Sequence, residues 1–287
     1  MLTKENFKMD FVIPYLNYDG ILKTLSSIRK HTPEHNIGKI ILIDQGKEYL
    51  KEADEFVDLH LFTRGINIGF AKAMNWGLRL SDAEYTACWN DDAECINAKW
   101  IEGIVETFNR YSTALCVNPA SPRNPISSGA PPASAEGYDY KEEWTTEEYD
   151  EMVTNLGRGY IIDGICMFAT IFHRARLDKV QGVVPGKSWF DEVFHSGGED
   201  YDLNRRGYLT KNLDNNYGGY RCLGTNLSYI FHWWYSTKKE DTGEAGVKYD
   251  GGTFIKKWRG DLPENENPDI YGHNGLQEIP QNIIRPW

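Results

Sequence analysis

Three short stretches carry side chains able to manage charge at a reacting centre. Asn90-Asp91-Asp92 sets two carboxylates side by side directly behind the apolar run Tyr85 to Trp89. Adjacent carboxylates repel unless a cation or water intervenes. A hard divalent cation with oxygen ligands would relieve that repulsion and also bind a diphosphate. The competing account is structural, with Asp92 ending a turn before Asn97-Ala98. In Gly198-Glu199-Asp200-Tyr201-Asp202-Leu203, three carboxylates fall within four residues. At helical spacing Glu199 and Asp202 share a face while Asp200 points elsewhere. One of them could serve as a general base; an acidic first turn stabilised by the helix dipole accounts for the same residues equally well. His232 stands in the apolar run Tyr229 to Trp234. A lone histidine there is core material unless the carboxylates converge on it.

These stretches sit among elements that alternate between two periodicities. Phe11-Val12-Ile13, Ile40 to Ile43, Phe56 to Phe62, Tyr85 to Trp89 and Ala114 to Val117 read as strands. Between them, Ile21-Leu22-Leu25-Ile28, Gly69 to Leu80 and Ala98 to Tyr111 have helical spacing, with Asp19 placed to cap the first. Strands of continuous apolar character separated by helices predict an α/β fold with a mostly parallel central sheet covered on both faces. Right-handed crossovers then put ligands at the carboxyl ends of the strands, where Asn90 to Asp92 begins. The proline-rich segment from Pro119 to Gly137 breaks the alternation and predicts a long loop, functional or linking. Tyr160 to Phe172 and Leu227 to Trp234 read as strands, and Asp200 to Arg206 as a helix start. From Ser236 onward the polar, glycine- and proline-bearing chain reads as an irregular tail. No internal repeat is visible.

Composition excludes several classes. The 287 residues carry a formal charge of -11, a poor match for a nucleic-acid backbone. Cys88, Cys95, Cys116, Cys166 and Cys222 form no CxxC pair, which argues against a zinc cluster and for buried free thiols in a reducing compartment. The polar residues Met1 to Met9 do not resemble a signal peptide, and no run reaches the roughly 18 apolar residues a membrane helix needs. A soluble, cytoplasmic protein is expected, with peripheral membrane contact left open.

The order of these pieces resembles the GT-A glycosyltransferases, especially family 2 and its rhamnosyltransferase-like branch. Val12-Ile13-Pro14-Tyr15-Leu16-Asn17 looks like that family's first strand and nucleotide loop, and Ile43-Asp44 like its second strand with a base-contacting Asp. Asn67-Ile68-Gly69-Phe70-Ala71 with Asn75-Trp76-Gly77 matches its Asn-x-Gly-x-Ala and Asn-x-Gly helix. Asn90-Asp91-Asp92 stands where the family has a DXD-type metal motif, here Asn-Asp-Asp, with Asp92 the expected ligand. Trp189-Phe190-Asp191-Glu192 followed by Glu199-Asp200-Tyr201-Asp202-Leu203 and Arg206 matches its Phe-Asp-Glu and Glu-Asp-x-Asp-Leu-x-x-Arg stretch, and His232 stands at the late metal-binding position. The likeness runs from about Met9 to Trp234; the tail matches nothing.

The resemblance implies a GT-A catalytic domain over residues 1–235, with a nucleotide-sugar-binding half (9–118), an acceptor-side half (119–235, long loop 119–157) and a C-terminal extension (236–287). It implies Mn2+ or Mg2+ held by Asp92 and His232, and a nucleotide-sugar donor, UDP- or dTDP-linked by preference. Pro14, Tyr15, Asn17, Asp44, Asn67, Gly69, Asn75, Asn90 and Asp91 would line the donor, with Asn67 and Asn75 either orienting the ribose or capping backbone groups, and Gly69 letting the helix approach the sheet closely. Arg64, before Gly65, reads as a turn residue that can also reach a diphosphate. Asp200, beside Glu199, would be the base, and Trp189 and Asp191 would face the acceptor, with core packing an equal reading of Trp189. A single in-line displacement would invert the anomeric centre, moving a hexosyl or deoxyhexosyl group to a glycan, lipid-linked or small-molecule hydroxyl. Two rivals share the fold. A sugar-phosphate nucleotidyltransferase usually has a glycine-rich basic loop where this chain has Pro14 to Tyr18. A binding or scaffold protein would have no need of Asp92, Asp200 and His232 together.

Overall fold

A computed structural model describes residues 1–17, 19–122, 140–155, 161–163, 167–180, 182–195, 197–210, 219–233 and 257–258. Ten strands are present among them: β1 Met9–Tyr15, β2 Ile37–Asp44, β3 Leu59–Phe62, β4 Tyr85–Trp89, β5 Ala93–Glu94, β6 Ala114–Ala120, β7 Ile161–Asp163, β8 Ala169–His173, β9 Arg221–Tyr229 and β10 Phe231–His232. The α-helices are α1 Ile21–His31, α2 Phe70–Leu80, α3 Trp100–Arg110, α4 Thr146–Asn155, α5 Arg174–Leu177 and α6 Glu199–Leu209.

Eight strands form one sheet in the order β3-β2-β1-β4-β8-β6-β9-β7, and β10 pairs with β5 in a separate ribbon. β3, β2, β1 and β4 run parallel, as do β6 and β9, while β8 runs antiparallel between β4 and β6 and β7 antiparallel along β9. The fold is therefore the α/β arrangement with a mostly parallel sheet that the strand-helix alternation predicts.

Alternation along β1 divides the core between the two faces. Phe11 and Ile13 pack with Leu25 and Ile28 of α1 and with Trp100 and Ile104 of α3. Val12 points the other way, into a cluster with Ala71, Met74 and Leu78 of α2 and Leu203 of α6. Burying each such aliphatic side chain is worth about 1.5–3 kcal/mol, so the two faces fix which helix covers which side. Pro14 is tolerated in a central strand because β4 pairs with β1 only over Met9–Val12, leaving no ladder bond for Pro14 to donate on that side.

Several local readings are corrected. α1 begins behind Gly20 with no side-chain cap, so Asp19 does not start it. The third strand is only Leu59–Phe62, because Phe56 closes the 3-10 turn of Lys51–Glu55 in a helical backbone conformation. The 119–157 loop contains α4, whose Tyr149, Met152 and Val153 are buried, and β6 extends into it as far as Ala120. Tyr160 to Phe172 resolves into two strands, and β9 starts six residues before Leu227. Gly69 does not bring the helix to the sheet: its φ is +83°, and a Cβ there would lie 2.7 Å from His195 Nδ1 and carbonyl oxygen. Gly77 makes the close approach instead, since its Cβ would fall 2.1 Å from Val12 Cγ1. Most of the proline-rich loop (123–139), Trp234, Cys166 and the tail apart from Lys257 and Trp258 lie outside the described residues.

Candidate active site

Tyr15 and Asp44 are register partners at the ends of β1 and β2, and Asn90 follows the end of β4. Parallel strands end on one edge, so these groups are brought together by topology. Asp91 Oδ2 accepts the Leu16 N–H at 3.2 Å, stitching the β4 end to the β1 end, and the Asp91 carbonyl accepts Thr24 Oγ1–H at 2.7 Å from α1. Burial, and then the neighbouring Asp92 charge, push the Asp91 carboxyl well above the usual carboxylate range, partly offset by the Leu16 N–H. Tyr15 sits beside Asp44 and Asp91, and burial together with those charges pushes its phenol up to about 12, so it stays a proton donor.

Asp44 is fully buried, with Oδ1 accepting the Gly46 N–H (2.8 Å) and Oδ2 meeting the Leu50 N–H (3.2 Å) and His60 Nε2 (3.1 Å). A carboxylate offers about four lone-pair sites, and Asp44 uses them on the protein's own N–H groups and His60. Asn17, at φ +52°, accepts the Lys47 N–H at 3.1 Å and joins the loops after β1 and β2. Gln45, which the sequence reading passed over, bonds to Tyr15 O through its N–H and accepts the Ile68 N–H through Oε1. It thereby locks the turn before α2 to the β2 end.

His232 reaches the same edge from the last described strand. β10 pairs antiparallel with β5, setting His232 opposite Ala93, and the Trp233 N–H donates to the Asp92 carbonyl at 3.0 Å. His232 Nε2 lies 3.1 Å from Asp92 Oδ1 and 3.4 Å from Asn90 Nδ2. The ring stacks on Phe168 (centroids 4.6 Å apart, planes 8° off parallel), and the His232 N–H donates to Ser121 Oγ. Neither Phe168 nor Ser121 carried any signal in the sequence.

Among the described residues no group of three or more His, Cys, Asp or Glu side chains is arranged to hold a metal. The Asp92–His232 pair nonetheless fits half of one. Two donors at right angles on a cation with bonds of about 2.1 Å lie about 3 Å apart. Remaining positions would fall to diphosphate oxygens and water, the usual pattern for Mg2+-type sites.

Glu199 and Asp200 open α6, and all three of Glu199, Asp200 and Asp202 are buried. The far end of α6 is anchored at the start of β9, where Gly207 O accepts the Tyr220 N–H and a Gly207 Cβ would touch Leu115. Asp200 Oδ1 accepts the Tyr201 N–H at 2.8 Å.

Other expected site residues go elsewhere. Asn75 is fully buried and spends both ends of its amide on one segment: Oδ1 accepts the N–H groups of Trp189 and Phe190, and Nδ2 donates to Phe190 O and Glu192 Oε1. It clamps α2 to that segment and leaves nothing for a nucleotide. Trp189 is core, 1 % exposed, with its indole N–H on Asp178. Asp191 is bound by Lys257 and by the Val193 N–H. Arg64 is exposed at φ +60° on a turn, as its structural reading had it. Asn67 Oδ1 accepts the Gly69 N–H, while its Nδ2 is buried with no hydrogen-bond partner.

Residues 10–175 match the sequence model of the family described as Glycosyl transferase family 2. No curated protein matches the chain. Among solved structures, the fold is similar to the crystal structure of GalNAc-T7 with UDP, GalNAc and Mn2+ (TM-score 0.55, 16 % identity, 79 % of this chain and 44 % of that one). It is also similar to S. aureus TarS 1-349 (TM-score 0.50, 13 % identity, 79 % and 60 %). A third is the mannosyltransferase PcManGT from Pyrobaculum calidifontis in complex with GDP-Man and Mn2+ (TM-score 0.50, 12 % identity, 83 % and 59 %). The chain spans less than two thirds of the length of each of these structures.

Proposed function

The chain belongs to glycosyl transferase family 2, and on that premise we propose that it moves a sugar from a nucleoside-diphosphate donor to an acceptor hydroxyl, with a divalent cation held at Asp92 and His232. The observation that carries this reading is the 3.1 Å approach of His232 Nε2 to Asp92 Oδ1 at the edge where β1, β2 and β4 end. Similar folds crystallised with UDP or GDP-Man and Mn2+ support the nucleotide and the cation. When bound, the cation neutralises the diphosphate and makes it a better leaving group.

Asp44 and Tyr15 would seat the base and ribose beside the Asn17 loop. The family resemblance favours uridine or thymidine diphosphate donors. Asn90 and Asp91 would border the diphosphate. As the acceptor oxygen forms its bond to the anomeric carbon, its proton passes to the Asp200 carboxylate. The bond from that carbon to the diphosphate breaks, and its electron pair leaves with the phosphate. A single displacement of this kind inverts the anomeric configuration. Glu199, adjacent and buried, would support Asp200. The domain division follows: 9–118 for the donor, 119–235 for the acceptor side and 236–287 as an extension. A deoxysugar donor, as in a rhamnosyltransferase-like branch, belongs to this same reading. Among the described residues no helix is long and apolar enough to cross a membrane.

A thermal-shift screen of nucleoside diphosphates and their sugars, with and without Mn2+, tests the reading. A ligand that binds only the folded state raises its melting temperature by mass action. A Mn2+-dependent rise with at least one nucleoside diphosphate is expected; no rise with any of them would overturn it.

A further inference from the structure

The two described residues of the C-terminal extension dock beneath the helix that carries Glu199 and Asp200. The Lys257 side chain is fully buried, with Nζ 2.5 Å from Asp191 Oδ2 and 2.7 Å from Asp202 Oδ1. Trp258 donates its indole N–H to the same Asp202 Oδ1 at 3.2 Å and lies under the Arg205 guanidinium, 3.9 Å from the ring centroid. Asp202 Oδ2 takes Arg206 Nε at 2.8 Å, and Arg206 Nη2 donates to Trp189 O. Two carboxylates and two cations therefore share one buried cluster. The Asp202–Arg206 pair lies within α6, at i and i+4, and Arg206 ties the helix to the Trp189 backbone at one point. Lys257 joins Asp202 to Asp191 across two segments.

Nothing in the family match extends this far, since that match ends at residue 175. The sequence gives no reason to pair a lysine in a polar tail with Asp202. A buried cation is retained at the expense of its hydration, and well-packed apolar groups often serve stability as well or better. Its geometry here links the turn bearing Asp200 to the segment clamped by Asn75.

We propose that Lys257 is a positioning residue: by bridging Asp202 and Asp191 it fixes the rotation and depth of α6, and so the placement of Asp200, making the C-terminal extension a working part of the acceptor side. This rests on the reading of Asp200 as the base. A displacement of about 1 Å at such a group can lower a rate roughly 100-fold while leaving donor binding alone.

The test uses the full chain carrying Lys257→Met, with Asp191→Asn cutting the same link at its other end, so that if one variant does not fold the other decides. Amide exchange over residues 199–206 is expected to quicken about tenfold or more, with β1 and β2 unchanged, as local opening without global loss. Affinity for UDP with Mn2+ should stay within about twofold while kcat falls about 10- to 100-fold. Unchanged exchange over 199–206 would overturn the bridge, and faster exchange with an unchanged kcat would overturn the positioning role. If wild type fails to bind UDP or any other nucleoside diphosphate with Mn2+, the proposed function fails, and the exchange measurement still decides the bridge.

Discussion

His232 Nε2 and Asp92 Oδ1 stand 3.1 Å apart although one belongs to the loop behind β4 and the other to the last described strand. Their spacing is set by the β5–β10 ribbon, by the Trp233 N–H on the Asp92 carbonyl and by the Phe168 ring under the imidazole. If they hold the cation, Asp92→Ala and His232→Gln should each weaken UDP binding in Mn2+ at least about tenfold, as lost coordination does. The difference should vanish in EDTA. Titration calorimetry of both variants, with and without chelator, checks this; equal affinities in Mn2+ would remove the pair as ligands.

Asp200→Asn keeps the size of the side chain and removes its basicity. General-base assistance contributes about 10²- to 10⁴-fold, so sugar transfer is expected to fall by that range with UDP affinity nearly unchanged. Nucleotide release followed alongside binding decides it. Transfer at the wild-type rate would take Asp200 out of the reaction.

Asn75→Ala separates a structural clamp from a nucleotide contact. Removing the amide strands the Trp189 and Phe190 N–H groups in the core, and unsatisfied buried groups cost about 1–3 kcal/mol each. A loss of roughly 2–4 kcal/mol in denaturant unfolding is expected, with UDP affinity per folded molecule preserved. A stable variant that no longer binds UDP would restore Asn75 to the donor site.

Burial lowers the pKa of His31, helped by the Lys30 charge, and burial lowers that of His173, helped by Arg176. With the folded value depressed, the unfolded chain binds more protons as pH falls. The contribution of both residues to stability is thus full above the ordinary value near 6.5 and is lost below it. Asp91, raised, acts with the opposite sign, so the histidine share is read by difference: between pH 8 and pH 5.5 His31→Gln should lose less melting temperature than wild type. A variant with an unaltered slope would show that His31 does not contribute.

Strand and helix identities in the first 118 residues were readable because buried parallel strands leave unbroken apolar runs such as Ile40 to Ile43. Asp44, Asp92 and His232 could be picked out because resemblance supplied their roles. Asn75 could not be told from a ligand contact, since a buried amide that clamps backbone and one that meets a nucleotide look alike in a sequence. Which of its two readings Trp189 takes, and the partner of Asp191, could not be read off, since Asp178 and Lys257 lie in segments with no pattern of their own. The α4 helix escaped notice because only Tyr149, Met152 and Val153 mark its inner face.

The β5–β10 ribbon has a consequence for how this chain tolerates change. Each of its strands has two residues, so a single insertion or deletion between Tyr229 and His232 would turn the imidazole to the opposite side of the ribbon. The same holds for β9 just before it, a buried strand in register with β6, so the run from Arg221 to His232 should admit replacements but no change in count. A library of one-residue indels across 222–233, scored for Mn2+-dependent UDP binding, would map that boundary directly.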